Sequence, residues 1–587
     1  MRKTLLLTTL WLLAHLTTSA QFVINLTDGQ KLSWDDFTIV QGTGDDEWLL
    51  RRIDLTTGGT NISRVVSIAA QPLTERSYTA PTSPDDYRNI SGWTNRTRWN
   101  LANVHDPSVM RADDGYYYMY CTDAGFGNPH DGHGHFHARR SRNLVDWEYL
   151  GATMSNVPAW VKDSLNNSRT ALGLPTITSP TYGYWAPCVR RVRSDLYRMY
   201  YCIVVDNYIK TGKQNTAANF DNSWSERAFI GVMETSNPAS NKWTDKGFVL
   251  CSMSDKGKNW TRSSTNDWNA YFRYNAIDPS FIITPEGDHW LIYGSWHSGF
   301  AAVQLDPETG KTLKQMPPFY TSLTELNKVM KRVYTRDVNS RWQGAEAPEV
   351  IYNPATGYYY LFMAYDGLEV PYNTRVVRSK NIDGPYYSKS GTNVTSSGGN
   401  AFPIMTHPYK FGDDHGWVGI SHCAVFDDGQ GNWYYASQGR FPADYDDWAP
   451  NAIMLGQVRS IRWTDDGWPV VMPERYSHMA QTAIDESELI GEWQNITMQY
   501  DYGKQRASVN FTLNEDHTVS GSWQNGRTWS YDETNRVLTV NGIKLYLQRE
   551  TDWEAGTEAN NRHTGRKATI VYAGLKDLVT YWGKKFK

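Results

Sequence analysis

Cysteine is scarce in this chain of 587 residues: there are five, Cys121, Cys188, Cys202, Cys251 and Cys423. That is too few for a disulfide framework, and an odd count leaves at least one thiol free. They read as buried thiols with at most one bridge, Cys188 and Cys202 being placed to face each other across a hairpin. Excess charge is also lacking, since 58 Lys+Arg against 62 Asp+Glu leave a formal net charge of -4. A nucleic-acid binder carries a basic stripe, so that class of partner is excluded. After residue 20 no run is apolar enough for a membrane span. At 40% hydrophobic and 20% charged residues, the chain is not dominated by disorder.

The N-terminus has Arg2 and Lys3, a largely apolar run from Leu5 to Leu16, then Thr17-Thr18-Ser19-Ala20. Basic, apolar and small residues in that order form a secretory leader, with cleavage expected after Ala20. An apolar run of about 12 residues is too short to cross a bilayer. Residues 1–20 are therefore expected to be a signal peptide and the mature protein to be secreted, extracellular or periplasmic.

Aromatic residues are abundant: 25 Trp, 37 Tyr and 18 Phe, 14% of the chain. Such side chains suit strand pairing and offer flat surfaces for sugar rings. They recur in a pattern of a special residue, an apolar strand, a Gly/Asp turn and an aromatic strand. The copies open at Asp106-Pro107, Ala186-Pro187, Asp278-Pro279, Ala347-Pro348 and His422-Cys423, with spacings of 80, 92, 69 and 75. Each reads as a β-hairpin. Repeated β units without a sustained helical period predict an all-β fold, a five-bladed β-propeller with long loops, since roughly 40–50 residues per blade is usual. The first strand of each blade lines the axis, so Asp106, Trp185, Asp278, Glu346 and His422 should converge at one end of it. Pro is expected to hold the residue before it extended. Carboxylates on facing walls are what glycoside hydrolysis needs: one acid protonates the leaving oxygen while one carboxylate activates water or attacks carbon.

The set His105-Asp106-Pro107, Trp185-Ala186-Pro187, Asn275 to Pro279, Gly294-Ser295-Trp296 and Glu346-Ala347-Pro348 resembles the family 43 glycoside hydrolases, most similar to the endo-acting α-1,5-arabinanases, over roughly residues 91–480. The resemblance implies inversion, Asp106 as general base, Glu346 as general acid, and Asp278 as the carboxylate that orients Glu346 and keeps it protonated. Trp185 is implied as a stacking wall, with His105, Asn275, Ser295 and Trp296 as further substrate-binding positions. His422 is implied as the axial ligand of a calcium ion held largely through water, one His being an unusual anchor for a cation that prefers oxygen. Glu349 is a rival for the acid, but in an extended strand it faces the side opposite Glu346. Four histidines at His130, His133, His135 and His137 suggest zinc, yet no Cys or acidic pair completes a tetrahedron, so a polar loop beside the cleft is preferred.

The aromatic hairpin rhythm stops after Met472, and residues 489–587 read as a separate small β-barrel or sandwich packed on the propeller. Residues 21–90 are an N-terminal extension or small β module in which Phe22 to Leu26 opens a strand pair. The expected substrate is arabinan or an arabino-oligosaccharide, and the expected state a monomer. Alternatives are an exo-acting α-L-arabinofuranosidase or β-xylosidase, or a sugar-binding propeller without catalysis.

Overall fold

In the five repeat units, strands of alternating apolar and aromatic residues are joined by tight turns. Gly115 at φ 77° and Gly287 at φ 92° take up left-handed backbone that a side chain would strain. The computed structural model describes residue 81 and residues 90–586, apart from 124–128, 172–175, 207–223, 255–271, 318–321, 339–342, 444–453 and 556–565. It also describes the backbone of five strands before residue 71. The expected leader, residues 1–20, lies outside the described residues.

Each unit forms a four-stranded antiparallel sheet whose strands follow in chain order. The inner strands are Ser108–Arg111, Tyr182–Arg193, Ser280–Ile283, Ala345–Asn353 and Ala424–Asp427. They contact one another in cyclic order and the fifth returns to the first, so the fold is the expected five-bladed propeller. The ring is closed by the segment before the first blade. Gly456 N–H of the fifth blade donates to Leu101 O at 2.8 Å, and Ala102 bridges Leu455. The buried Arg139 of the first blade binds Asn100 O and Ala102 O from the other side, at 2.9 and 2.7 Å.

The axis is laced by one repeated bond. Ser108, Cys188, Ser280 and Glu349, each two residues after a repeat opening, accept the backbone N–H of Val189, Phe281, Val350 and Val425 on the next blade. Glu349 also accepts from Ser280 Oγ at 2.7 Å and pairs with Arg190 at 2.6 Å, joining the inner strands of four blades. A concavity of about 740 Å³ opens at this end of the axis, lined by Arg190, Ile283, Tyr352 and Asp428 among others.

Three expectations are corrected here. The residues before the prolines are not extended: Asp106, Ala186, Asp278 and Ala347 have φ of 48°, 42°, 55° and 56°, and His422 has 54°. In the longer inner strands this bend is a bulge, between Trp185 and Cys188 and between Glu346 and Glu349. The extra residue reverses strand parity, so Glu346 and Glu349 share a face at different heights. The same bulge pairs Cys188 with Tyr200 and Cys202 with Trp185, and all five cysteines are free thiols.

The C-terminal strands form one eight-stranded sheet from Val519–Gly521 to Trp529–Asp532, whose ends meet through a Thr518–Thr528 bridge, so it is barrel-like. Its Ile496, Val571 and Trp582 continue the apolar core of the first, fourth and fifth blades. Before the propeller, Phe22–Leu26 pairs with Lys31–Leu32 and with Thr60–Ala70 in a five-stranded sheet.

Candidate active site

The five bends turn the residues at the repeat openings toward one end of the axis. Non-glycine residues at positive φ are uncommon and cost about 1–3 kcal/mol each. Five at equivalent positions show that the strain belongs to the design of the site. The bends are also tied to each other. Ala347 N–H donates to Asp278 Oδ2 at 3.0 Å, Ala186 N–H to Thr122 Oγ1 at 2.7 Å, and Asp106 N–H to Gln438 Oε1 at 3.1 Å.

Asp106 is buried and held by charge. Its Oδ2 accepts from Thr122 at 2.8 Å, and its Oδ1 lies 2.9 Å from His422 Nδ1 and 3.3 Å from His105 Nε2. Burial alone would push its pKa up. The charges of His105 and His422 and the hydrogen bonds from His422 and Thr122 outweigh that and hold the carboxyl far below its usual range. His422 answers in kind: burial favours the neutral ring, but Asp106, Asp278 and Glu346 push it up to about 9. Burial lowers His105 to about 4 despite Asp106, so it is neutral near pH 7.

Glu346 is the opposite case. Burial raises its pKa, and the charge of Asp106 adds to this, while Tyr372, His422 and Trp296 oppose it. Tyr372 Oη lies 2.5 Å from Oε1, with Trp296 Nε1 at 2.7 Å and Ser295 Oγ at 3.1 Å from Oε2. Asp278 is pushed to about 7, chiefly by burial, with Glu346 and Asp106 adding and His422 opposing. The site thus holds one carboxyl whose pKa is held down by its charged neighbours and two whose pKa values burial raises, the separation on which acid–base division of labour rests.

The other expected positions are placed as follows. Trp185 is half-buried, with its indole laid over Gly183, where a Cβ would come within 2.7 Å of Nε1. Asn275 is buried, its Oδ1 accepting from Ser252 at 2.9 Å. Ser295 and Trp296 turn polar groups to Glu346. The histidine loop is packed with aromatic rings: His133 stacks on Trp93 at 3.7 Å, His130 on His137 at 4.1 Å and His135 on Tyr184 at 3.3 Å. Asp123 N–H donates to Tyr184 O, which places this loop beside Trp185.

Among the described residues, the one grouping of His, Cys, Asp and Glu dense enough to hold a metal is Glu474, Asp552 and Glu554. There the Lys584 ammonium already lies 3.0 Å from Glu474 and 2.9 Å from Asp552. At the axis a hard cation would meet Nε2 of His422, whose Nδ1 is taken up by Asp106 at 2.9 Å; it would displace the ring proton that the three carboxyls favour, and water would supply most of its coordination.

Three contributors escape the repeat: Thr122, Gln438 and Tyr372. None opens an inner strand, so nothing in the hairpin rhythm marks them. Tyr372 carries its own prediction. Its hydroxyl favours the ionised Glu346, so Tyr372→Phe raises the Glu346 pKa further. If Glu346 must be protonated to act, the alkaline limb of the pH–rate profile moves to higher pH, as read from kcat/KM between pH 5 and 10.

Residues 101–469 match the family described as glycosyl hydrolases family 43, and residues 473–583 match a C-terminal lipocalin-like domain. Over 519 residues the chain is 25% identical to an extracellular endo-alpha-(1->5)-L-arabinanase of Thermotoga petrophila, covering 83% of this chain and 94% of the relative. An extracellular exo-alpha-(1->5)-L-arabinofuranosidase of Cellvibrio japonicus is 25% identical over 378 residues, 63% of this chain and 86% of its own. In structure, an endo-1,5-alpha-L-arabinanase from Thermotoga petrophila superposes with a TM-score of 0.60 at 23% identity, over 83% of this chain and 99% of that one. That likeness concerns the fold.

Proposed function

From the premise that this chain belongs to family 43 of the glycosyl hydrolases, we propose that it is a secreted enzyme cleaving internal α-1,5-L-arabinofuranosidic linkages of arabinan with inversion. The observation that carries this is the opposed environment of two carboxyls on one axis. Asp106 is held ionised by His422 and Thr122, and burial raises the pKa of Glu346. Asp106 takes a proton from water as the water attacks the anomeric carbon, and Glu346 gives its proton to the departing arabinose oxygen. Asp278 holds the next bend through Ala347 N–H and so orients the strand bearing Glu346. Trp185 is the stacking wall. His105 braces Asp106, and Ser295 and Trp296 brace Glu346, at the edge of the subsite that Asn275 helps to line.

The arabinanase relatives named above support the substrate, and their extracellular names support export through residues 1–20. Because an exo-acting enzyme stands among them, the products decide the mode. Digestion of linear and branched arabinan gives mixed oligosaccharides early if the enzyme is endo-acting. Release of arabinose alone makes it an exo-acting arabinofuranosidase. Binding without new reducing ends makes it a lectin-like propeller.

A calcium ion is proposed at His422, where it would supply positive charge to the three carboxyls. Treatment with a chelator is then expected to lower turnover, and added calcium to restore it; full activity after exhaustive chelation removes the ion from the proposal.

A further inference from the structure

The loop that follows the C-terminal strand Gly491–Met498 brings Tyr500 to the fourth blade, whose inner strand carries Glu346. Tyr500 Oη donates to Asp366 Oδ2 at 2.7 Å. Asp366 follows the second strand of the fourth blade at φ 71° and is buried. Its other contacts are Asn373 Nδ2 at 3.1 Å and the Arg336 guanidinium at 3.3 Å. The Gly344 carbonyl is gripped from both sides by this pair: Asp366 N–H donates to it at 2.9 Å and Arg336 Nη1 at 3.0 Å. Gly344 stands two residues before Glu346. On the next rung Trp296 N–H donates to Ala345 O at 2.9 Å, and Trp296 Nε1 then bonds Glu346. One network therefore sets both the path of the strand and one of the donors that fix the carboxyl.

Tyr500 is well seated for such a role. Its ring lies 5.2 Å from the Arg375 guanidinium and edge-on to His407, while the next residue's N–H donates to His407 Nε2 at 3.2 Å.

We propose that Tyr500 is a positioning residue for the reaction: the C-terminal domain sets the placement of Glu346 through the Tyr500–Asp366–Arg336 network. The inference rests on the reading of Glu346 as the acid. A displacement of the acid by a fraction of an ångström costs rate without changing how tightly the sugar binds.

The test compares two substrates of equal length, an unmodified arabino-oligosaccharide and its 4-nitrophenyl glycoside, whose leaving group departs without a proton. For Tyr500→Phe, kcat on the unmodified substrate is expected to fall about tenfold with KM within twofold. On the aryl glycoside kcat stays within twofold, and the melting temperature confirms a folded enzyme. Asp366→Asn, a second variant should the first fold poorly, gives the same pattern, and the double variant is no worse than either single one. Wild-type kcat, a change in KM alone, or an equal loss on both substrates overturns the proposal. Glu346→Ala is the control. If it loses both substrates equally, the acid assignment itself fails, whatever Tyr500 does.

Discussion

Asp106→Asn lowers turnover on arabinan by roughly 10³-fold while leaving substrate affinity within a few-fold, because general-base catalysis contributes on that order and the amide keeps the shape. The side chain sits among donors. Thr122 Oγ1 still finds an acceptor in the amide oxygen, so the bend at residue 106 and its tie to Ala186 survive. What is lost is the charge. In the native protein that charge is protected: His422 and His105 hold Asp106 ionised far below neutral pH, so the base is ready across the working range. The acid limb of the native pH profile therefore does not report an ordinary carboxylate, and the raised pKa of Glu346 moves the alkaline limb above the range of a solvated carboxyl. In the variant, the imidazolium of His422 loses its largest stabilising partner and its pKa falls from about 9. Turnover and calorimetric affinity for an arabino-oligosaccharide check both halves. Turnover within a few-fold of the native enzyme refutes the base assignment.

The second large effect separates Glu349 from Glu346, only three residues apart. Glu349→Ala is expected to cost about 3–5 kcal/mol of stability, the usual consequence of leaving one member of a buried ion pair without its partner. Three contacts go at once: Arg190 at 2.6 Å, Ser280 Oγ at 2.7 Å and Val425 N–H at 3.0 Å. Only 7% of the Glu349 side chain is exposed, so water offers little replacement. Glu346→Ala touches no interblade bond of this ring. It is expected to remain folded and to lose activity on unactivated substrate. Denaturant titration beside specific activity per folded molecule reads the contrast. An inactive but fully stable Glu349→Ala would reverse the roles.

The wheel was legible because its repeat openings carry chemistry at matching points of a hairpin rhythm. Asp106, Ala186, Asp278, Ala347 and His422 occupy equivalent left-handed bends, so counting hairpins was enough to bring them together. The bends themselves were misread. An X-Pro pair suggests extended backbone, but here tertiary packing imposes a bulge, and that bulge moved Glu349 onto the face of Glu346. The register of the second-blade hairpin, which pairs Cys188 with Tyr200 and Cys202 with Trp185, leaves the suggested Cys188–Cys202 bridge as two separate thiols. Tyr372, Thr122 and Gln438 were invisible because they lie in or just beside second and third strands, where an aromatic or polar residue is equally at home in packing. Tyr500 was beyond reach for a plainer reason: it lies in a loop of another domain, and no local pattern announces which residue of one domain will find an aspartate 134 positions earlier in another.

The stereochemistry of the first product tests most directly whether one carboxylate activates water while another protonates the departing sugar. Proton NMR, recorded within the first turnovers on an α-1,5-linked arabino-oligosaccharide, should show the new reducing end as the β-anomer, with the α-anomer arising only later by mutarotation. An α-anomer formed first would mean that a side chain attacks the sugar, which contradicts the base role of Asp106.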